Sequence, residues 1–307
     1  MENEIEKIIK DIKELRIQGA RNVAKATVKA FIIFVKQNEE KDSKKFIEES
    51  IKFALQLLNT RPTEPMARNI MKEVINYLLN AIEKHKTKDD IKEFFESNEE
   101  KIMKKFYESM EKISEIGANY IEEDSTIITY CHSSTVTSIL KKAHDTGKNI
   151  KVIACETRPK FQGRITAKEL SEYGIETTLI VDGAMARFGK KADIAIVGAD
   201  AITSTGDLIN KIGTLSLAIV MKHYNKELIS AAELYKYDPE TLLGFREKIE
   251  ERGEEEIWGI SKENFKIRNP AFDHVPSNLI SKYITDAGII NPDDFRNAYE
   301  NNKGIIF

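Results

Sequence analysis

Cysteine is nearly missing from this chain: only Cys131 and Cys155 occur among 307 residues. Two thiols cannot build a disulfide framework, so a reduced, cytosolic setting is the expectation. Long apolar runs are missing as well. "FIIFV" (31–35) and "LSLAIVM" (215–221) fall far short of the roughly 18 residues a membrane helix needs. The amphipathic start "MENEIEKIIKDIKEL" lacks the apolar core of a signal peptide. No membrane partner is expected. Positive charge is not in excess either. The formal net charge is −3, which argues against a general nucleic-acid binder, although local basic loops can still hold small anions. Neither G-x-x-x-x-G-K-[ST] nor G-x-G-x-x-G after a strand occurs, which removes the P-loop and the dinucleotide fingerprint. Cys131 and His132 are neighbours, and neighbouring strand residues point to opposite faces. They make a poor dyad unless the strand has already ended. With Cys155 as the remaining thiol, they make a poor zinc site too. No metal and no organic cofactor is expected.

What is present is a large apolar fraction, 41%, beside 32% charged residues, enough for a real core in one or two domains. The first part has helical periodicity. Ile5, Ile8, Ile9, Ile12 and Leu15 keep one face apolar, and Ile70, Val74, Leu78 and Ile82 recur every four residues. The prolines of "NTRPTEP" (59–65) impose a turn between the third and fourth helices. A long helix is expected from about Asp90 to Tyr120. After Gly117 the rhythm changes. "STIITYC", "IKVIAC", "TTLIV", "ADIAIVGA" and "LISAAE" alternate with helical stretches, which implies βαβ units and a parallel sheet. "ADIAIVGA" is apolar on both faces, as a sheet covered on both sides requires. The expected fold class is therefore α/β: a helical N-terminal domain, 1–117, and a domain with a mostly parallel sheet, 118–307.

The uncommon polar groups fall at the ends of those strands: "CHSS" (131–134), "CETRPKFQGR" (155–164), Asp182-Gly183, "GADAITSTGDLINKIGT" (198–214) and "ELYKYD" (233–238). Ligands of open α/β sheets bind beyond the carboxyl ends of the strands, so five such loops point to one small-molecule pocket. Ser133, Ser134 and Thr135 open a helix, where free N–H groups favour phosphate. Arg61, Arg158, Arg164, Lys211 and Lys236 lie in loops or at element ends. Each reads first as a solvated charge, but Arg61 and Arg158 precede prolines that would hold a guanidinium in place. Free cysteine is usually a small buried hydrophobe, and by position alone that describes Cys131 better than catalysis does. Asp200, directly after an apolar strand, is either a turn cap or a partly desolvated general acid.

"RIQGARNVAKA", "TRPT", "CETRPKFQGRITAKEL", "GADAI…GDLINKIGT", "AAELYKYD" and "RNPAFDHVP" follow one another in an order that resembles one superfamily. It holds methylthioribose-1-phosphate isomerases, archaeal ribose-1,5-bisphosphate isomerases, and the α, β and δ regulatory subunits of the eukaryotic translation-initiation exchange factor. The resemblance spans nearly the whole chain. It implies a helical domain followed by a Rossmann-like domain, and a homo-oligomer, either a dimer or a hexamer built from dimers. It implies Cys131 as the catalytic base and Asp200 as the acid; the regulatory subunits typically lack the cysteine. It implies phosphate or sugar contacts at Gly19, Ala20, Arg21, Arg61, Ser133, Ser134, Thr135, Arg158, Asn210, Lys211 and Lys236. Arg21 and Lys236 offer charge for a second phosphate, which favours a phosphorylated pentose of the bisphosphate kind over the methylthio sugar. The pathway implied is AMP or nucleoside salvage, with AMP as a candidate effector that no residue here demonstrates. Arg158, Lys211 and the helix N-terminus are expected to make the surroundings of the thiol electropositive. The chain departs from the family in having Tyr130 where histidine is expected and "DHVP" where "DVTP" is expected.

Overall fold

The computed structural model describes residues 3–61, 64–260 and 264–304. These form two compact units, one of residues 1–108 with 302–307 and one of residues 109–301. The C-terminal "KGIIF", a candidate subunit contact by sequence, lies outside the described residues from Ile305 onward, as do Pro62 and Thr63 of "TRPT".

In the first unit α1 (Glu4–Lys13), α2 (Ala20–Gln37), α3 (Ser43–Leu58) and α4 (Pro65–Glu83) follow in order, with the start of α5 (Lys88–Tyr120). Their beginnings are written in the sequence. Asn3 caps α1 by accepting from the Ile5 N–H, and Asp42 caps α3 by accepting from the Lys45 N–H at 2.8 Å. Pro65 supplies a preset φ at the first turn of α4. Gly19, at φ 84°, occupies the N-cap of α2; nothing crowds it, so the left-handed backbone alone asks for glycine. Phe31, Phe46, Ile70, Met71, Leu78 and Phe95 are fully buried, each stabilising the unit by roughly 2 kcal/mol. Ile82, the last member of the α4 stripe, faces outward instead at 38% exposure.

The second unit is an α/β fold around a seven-stranded sheet ordered β10-β9-β7-β4-β1-β2-β3. The strands are β1 (Thr126–Tyr130), β2 (Lys151–Cys155), β3 (Glu176–Ile180), β4 (Ile194–Val197), β7 (Glu227–Ala231), β9 (Lys282–Thr285) and β10 (Gly288–Ile290). All pair in parallel except β10, which runs antiparallel to β9 at one edge. Helices α6 (Ser134–Asp145), α7 (Gln162–Glu172), α8 (Met185–Gly189) and α9 (Thr214–His223) lie between the strands, and α10 (Phe295–Asn302) closes the order. β4 is buried along its whole length, as its apolar sequence demands. By sequence the boundary falls at 117, where the periodicity changes; the units divide at 108 because the last turns of α5 belong to the sheet. Ile113 and Ala118 pack in one cluster with Ile127, Ile139 and Ile196.

The five strands expected from the sequence are β1, β2, β3, β4 and β7; β9 and β10 at one edge of the main sheet lie outside that expectation, and so does a second, smaller sheet. "GADAITSTGDLINK" is not a loop but β5 (Ala201–Ile202) and β6 (Leu208–Lys211), joined through a turn with Gly206 at φ 76°. β6 also pairs with β8 (Phe272–Val275), some sixty residues on, giving a second sheet ordered β5-β6-β8. Strands of two to four residues have too little periodicity to show, and their pairing is long-range.

Candidate active site

The chain leaves β1 toward β2 and β3 on one side of the sheet, then returns to β4, β7 and β9 on the other. The strand order reverses between β1 and β4, which pair directly through Ile127 with Ile194 and Ile128 with Ala195. A crevice opens beyond the carboxyl ends at such a reversal. Cys131 is the first residue after β1, and Asp200 follows β4 by three residues. Glycine sits beside it at Gly198. A Cβ on Gly198 would stand 2.8 Å from the Ser133 hydroxyl, so only glycine lets the α6 N-terminus approach β4.

The thiol is held by an unusual backbone. Cys131 adopts φ 67° and Thr157, after β2, φ 62°; both are left-handed without being glycine, a strain that collects at functional sites. The two are joined. The Cys131 N–H donates to the Thr157 hydroxyl at 2.9 Å, and that hydroxyl donates to the Cys155 carbonyl at 3.1 Å. Asp182, after β3, accepts from the N–H groups of Thr157 at 2.8 Å and Arg158 at 2.7 Å. The Thr166 hydroxyl of α7 donates to the Cys131 carbonyl at 2.9 Å. With its proton so used, Thr166 accepts from His132 Nδ1 at 3.1 Å, which turns the imidazole toward α7 and away from the thiol. Gly163 permits this packing: a Cβ there would lie 1.6 Å from the Cys155 carbonyl oxygen.

Burial pushes the Cys131 thiol up to about 11. Lys211 and the His132 N–H pull it down, Asp200 pushes it further up, and Arg252 pulls it down. The electropositive surroundings expected from the sequence are thus present in part, through Lys211. They do not prevail over desolvation, and Arg252 rather than Arg158 is the arginine that acts. Arg158 is exposed, and its guanidinium donates to the Ile257 carbonyl at 3.2 Å and lies 5.0 Å from the Phe161 ring centroid. Cys155 is buried without exposure, and its thiol is pushed up to about 12 by burial and by Asp182.

The other expected residues divide by unit. In the second unit, Ser133 is the N-cap of α6, its hydroxyl accepting from the Val136 N–H at 3.4 Å, and Ser134 and Thr135 form the first turn. Lys211 ends β6 with its ammonium 4.8 Å from the centroid of Phe272, its β8 partner. Asn210 is buried and donates to the Thr214 hydroxyl at 3.0 Å, so its side chain holds the β6–α9 turn. Lys236 is buried in an ion pair with Glu233, Nζ to Oε2 3.1 Å, which spends part of the charge a phosphate would use. In the first unit, Gly19 and Ala20 start α2 and Arg21 follows, while Arg61 forms a pair with the buried Glu64 at 3.4 Å.

Asp273 and Tyr130 stand in stretches that the sequence singles out, but what they do there was not legible in it. Asp273 of β8 accepts from the N–H groups of Gly213 at 2.7 Å and Leu215 at 3.0 Å, so a carboxylate already occupies the start of α9. Tyr130 is buried, and its hydroxyl lies where a Cβ on Gly213 would be, 2.2 Å away. Burial, then Asp182, Cys155, Cys131 and Asp273, raise its phenol far beyond the ordinary range, so it stays protonated. The tyrosine is therefore a neutral wall behind the thiol, and Gly213, at φ 105°, makes room for it.

Residues 16–292 match the family described as "Initiation factor 2 subunit family". The chain belongs to this family. Among its relatives, the ribose 1,5-bisphosphate isomerase of Methanocaldococcus jannaschii is 38% identical, covering 94% of this chain and 92% of that protein. The enzyme of the same name from Pyrococcus furiosus is 39% identical, with 94% and 91% covered. Of solved family structures, translation initiation factor eIF-2B from Pyrococcus horikoshii superposes with a TM-score of 0.78 at 29% identity, covering 95% of this chain and 98% of that one. The 5-methylthioribose 1-phosphate isomerase of the same organism gives 0.77 at 28% identity, covering 96% and 86%. The helical region followed by the mostly parallel sheet is the family's architecture.

Proposed function

We propose that this protein is an aldose–ketose isomerase that converts α-D-ribose 1,5-bisphosphate to D-ribulose 1,5-bisphosphate. The observation that carries the reading is the placement of Cys131 directly after β1 and Asp200 three residues after β4, two strands that pair where the strand order reverses, so that both stand at the same edge of the sheet. Isomerase relatives that align over more than nine-tenths of this chain support the substrate. The anomeric phosphate sets the chemical problem, because the ring cannot open by loss of an anomeric hydroxyl proton. In the proposed route the Asp200 carboxylate first takes the thiol proton, and the Cys131 thiolate so formed takes the proton from carbon 2. The released pair forms the carbon 1–carbon 2 double bond, the bond from carbon 1 to the ring oxygen breaks, and Asp200 delivers a proton to that oxygen. The resulting phosphoenol loses its carbon 2 hydroxyl proton to the Asp200 carboxylate, and carbon 1 takes the proton back from the Cys131 thiol. The proton then returns from Asp200 to the sulfur, and both groups end as they began. A thiol near 11 is a strong base once ionised and holds its proton for the return step. The substrate phosphates fall to the α6 N-terminus at Ser133 to Thr135 and to Lys211. The reaction belongs to AMP or nucleoside salvage in this reading, in the cytosol, and the working form is an assembly of several copies.

A second reading has one observation in its favour. The buried Lys236–Glu233 pair leaves less charge for a second phosphate, as methylthioribose 1-phosphate would require. The test is to offer each sugar phosphate separately and follow proton exchange at carbon 2. Turnover of the bisphosphate alone is the expected result; turnover of the methylthio sugar alone would move the assignment, and turnover of neither would leave a binding protein. Cys131→Ser and Asp200→Asn should each lower kcat by at least about 100-fold with an unchanged circular dichroism spectrum. Near-wild-type activity in either variant would sink the assigned roles.

A further inference from the structure

We propose that Thr157 is a positioning residue of this site, its hydroxyl holding Cys131 in the left-handed conformation that turns the thiol onto the Tyr130 face of the sheet. Side chains of a strand alternate between its two faces. In β1, Ile127 packs on one face with Ile113 and Ile139. Ile128 and Tyr130 lie on the other, in one cluster with Ala199, Leu208 and Val275. Continued alternation would send Cys131 to the face of Ile127. It packs instead against the cluster of Ile128 and Tyr130. Cys131 is the first residue after β1, and its φ of 67° is the break that reverses the alternation. The reversal matters because the other polar groups of the site come from that side. Ala199 precedes Asp200, and Leu208 begins the strand β6 that ends at Lys211.

A left-handed cysteine has to be held, because a residue with a Cβ disfavours that backbone. Both backbone polar groups of Cys131 are met by threonine hydroxyls from other elements. Its N–H donates to the Thr157 hydroxyl at 2.9 Å, and its carbonyl accepts from the Thr166 hydroxyl of α7 at 2.9 Å. Thr157 is itself fixed through every polar group it has. Its N–H donates to Asp182 at 2.8 Å, its carbonyl accepts from the Phe161 N–H at 2.7 Å, and its hydroxyl donates to the Cys155 carbonyl at 3.1 Å. With that proton committed, the hydroxyl presents only lone pairs to the Cys131 N–H. The side chain is fully buried, so its rotamer is set by packing as well. Valine would fill the same space and offer no acceptor. This deepens the assignment of Cys131 as base and rests on that assignment for its catalytic consequence. The conformation of Cys131 can be read without any substrate.

The experiment joins a crystal structure of Thr157→Val to steady-state kinetics. In the crystal, Cys131 should leave the left-handed region and its side chain should leave the cluster of Ile128 and Tyr130. In solution, kcat should fall by about 10- to 100-fold while KM for the sugar phosphate changes by less than about threefold, because the substrate is still bound and only the base is misplaced. Thr157→Ser keeps the hydroxyl and should restore most of kcat. Thr27→Val is the control. It also removes a buried hydroxyl, one that donates to the Val23 carbonyl at 2.8 Å within α2, and it should leave kcat in place. A Cys131 φ still near 67° in the Thr157→Val crystal overturns the inference, and so does a kcat equal to that of Thr27→Val. If Thr157→Val does not fold, Thr166→Val, which removes the second bond to the same residue, takes its place in both measurements. If the wild-type protein turns over neither sugar phosphate, the proposed function falls, and the crystal still decides whether Thr157 sets the direction of the thiol.

Discussion

At the scale of the residue, the thiol of Cys131 decides most. Its burial sets a sign for pH dependence. The reactive form is the thiolate, and the folded thiol sits at about 11 against about 8.5 for an ordinary cysteine. Alkylation of Cys131 by iodoacetamide should therefore rise about tenfold per pH unit from pH 7 to pH 10. A rate that levels off near pH 8 would show an ordinary, solvated thiol instead. The same shift acts on stability. Between the ordinary value and about 11 the folded state keeps a proton that the unfolded chain has released, so this group's contribution weakens as pH rises through that window. The sequence could mark Cys131 as standing at a strand end. It could not mark the left-handed backbone there, because φ at one non-glycine residue is set by what its N–H and C=O reach. Thr157 and Thr166 come from two other elements.

At the scale of the element, helix starts tell which loops are free to bind an anion. α6 begins at Ser133 with its own hydroxyl as cap, and its first turn borders the crevice. α9 begins at Gly213 under the Asp273 carboxylate, two backbone donors being already taken. In the sequence "SSTV" opens a helix suited to phosphate, and Asn210 and Lys211 of "NKIGT" are contacts that the resemblance implies; that the start of α9 is occupied comes from a strand sixty residues further on. Asp273→Ala should cost about 1–2 kcal/mol of stability in urea denaturation, through the lost cap and dipole interaction. An unchanged unfolding midpoint would show that Asp273 does not hold the helix. The turn before β6 has a similar device. Burial alone would raise the Asp207 carboxyl, but the Ser277 N–H, the Thr205 hydroxyl and His274 together carry it below its ordinary value. Its contribution is present above the unfolded carboxylate value and is lost as pH falls through the lower folded one. Asp207→Asn should therefore flatten the fall of the urea midpoint between pH 5 and pH 3.

At the scale of the whole molecule, each compact unit has its own core, and the second grades from a buried centre to an open margin. β1 and β4 lie at the middle of the seven-stranded sheet, while Leu243, Phe245 and Trp258 are 76%, 65% and 56% exposed. Hydrogen exchange should release amides of residues 239–258 first and those of β1 and β4 last. Equal protection would mean that residues 239–258 belong to the core. The sequence by itself determined the helices of the first part, five of the six parallel strands of the second and the polar residues at their ends. These follow from periodicity and composition, which act over ten residues or fewer. Only the tertiary structure decided that Asp273 closes one helix start, that Lys236 is matched to Glu233 and that the buried Tyr130 stays neutral. The reason is physical. Whether a charge is free, paired or desolvated depends on which distant segments exclude water from it, and no local pattern carries that information.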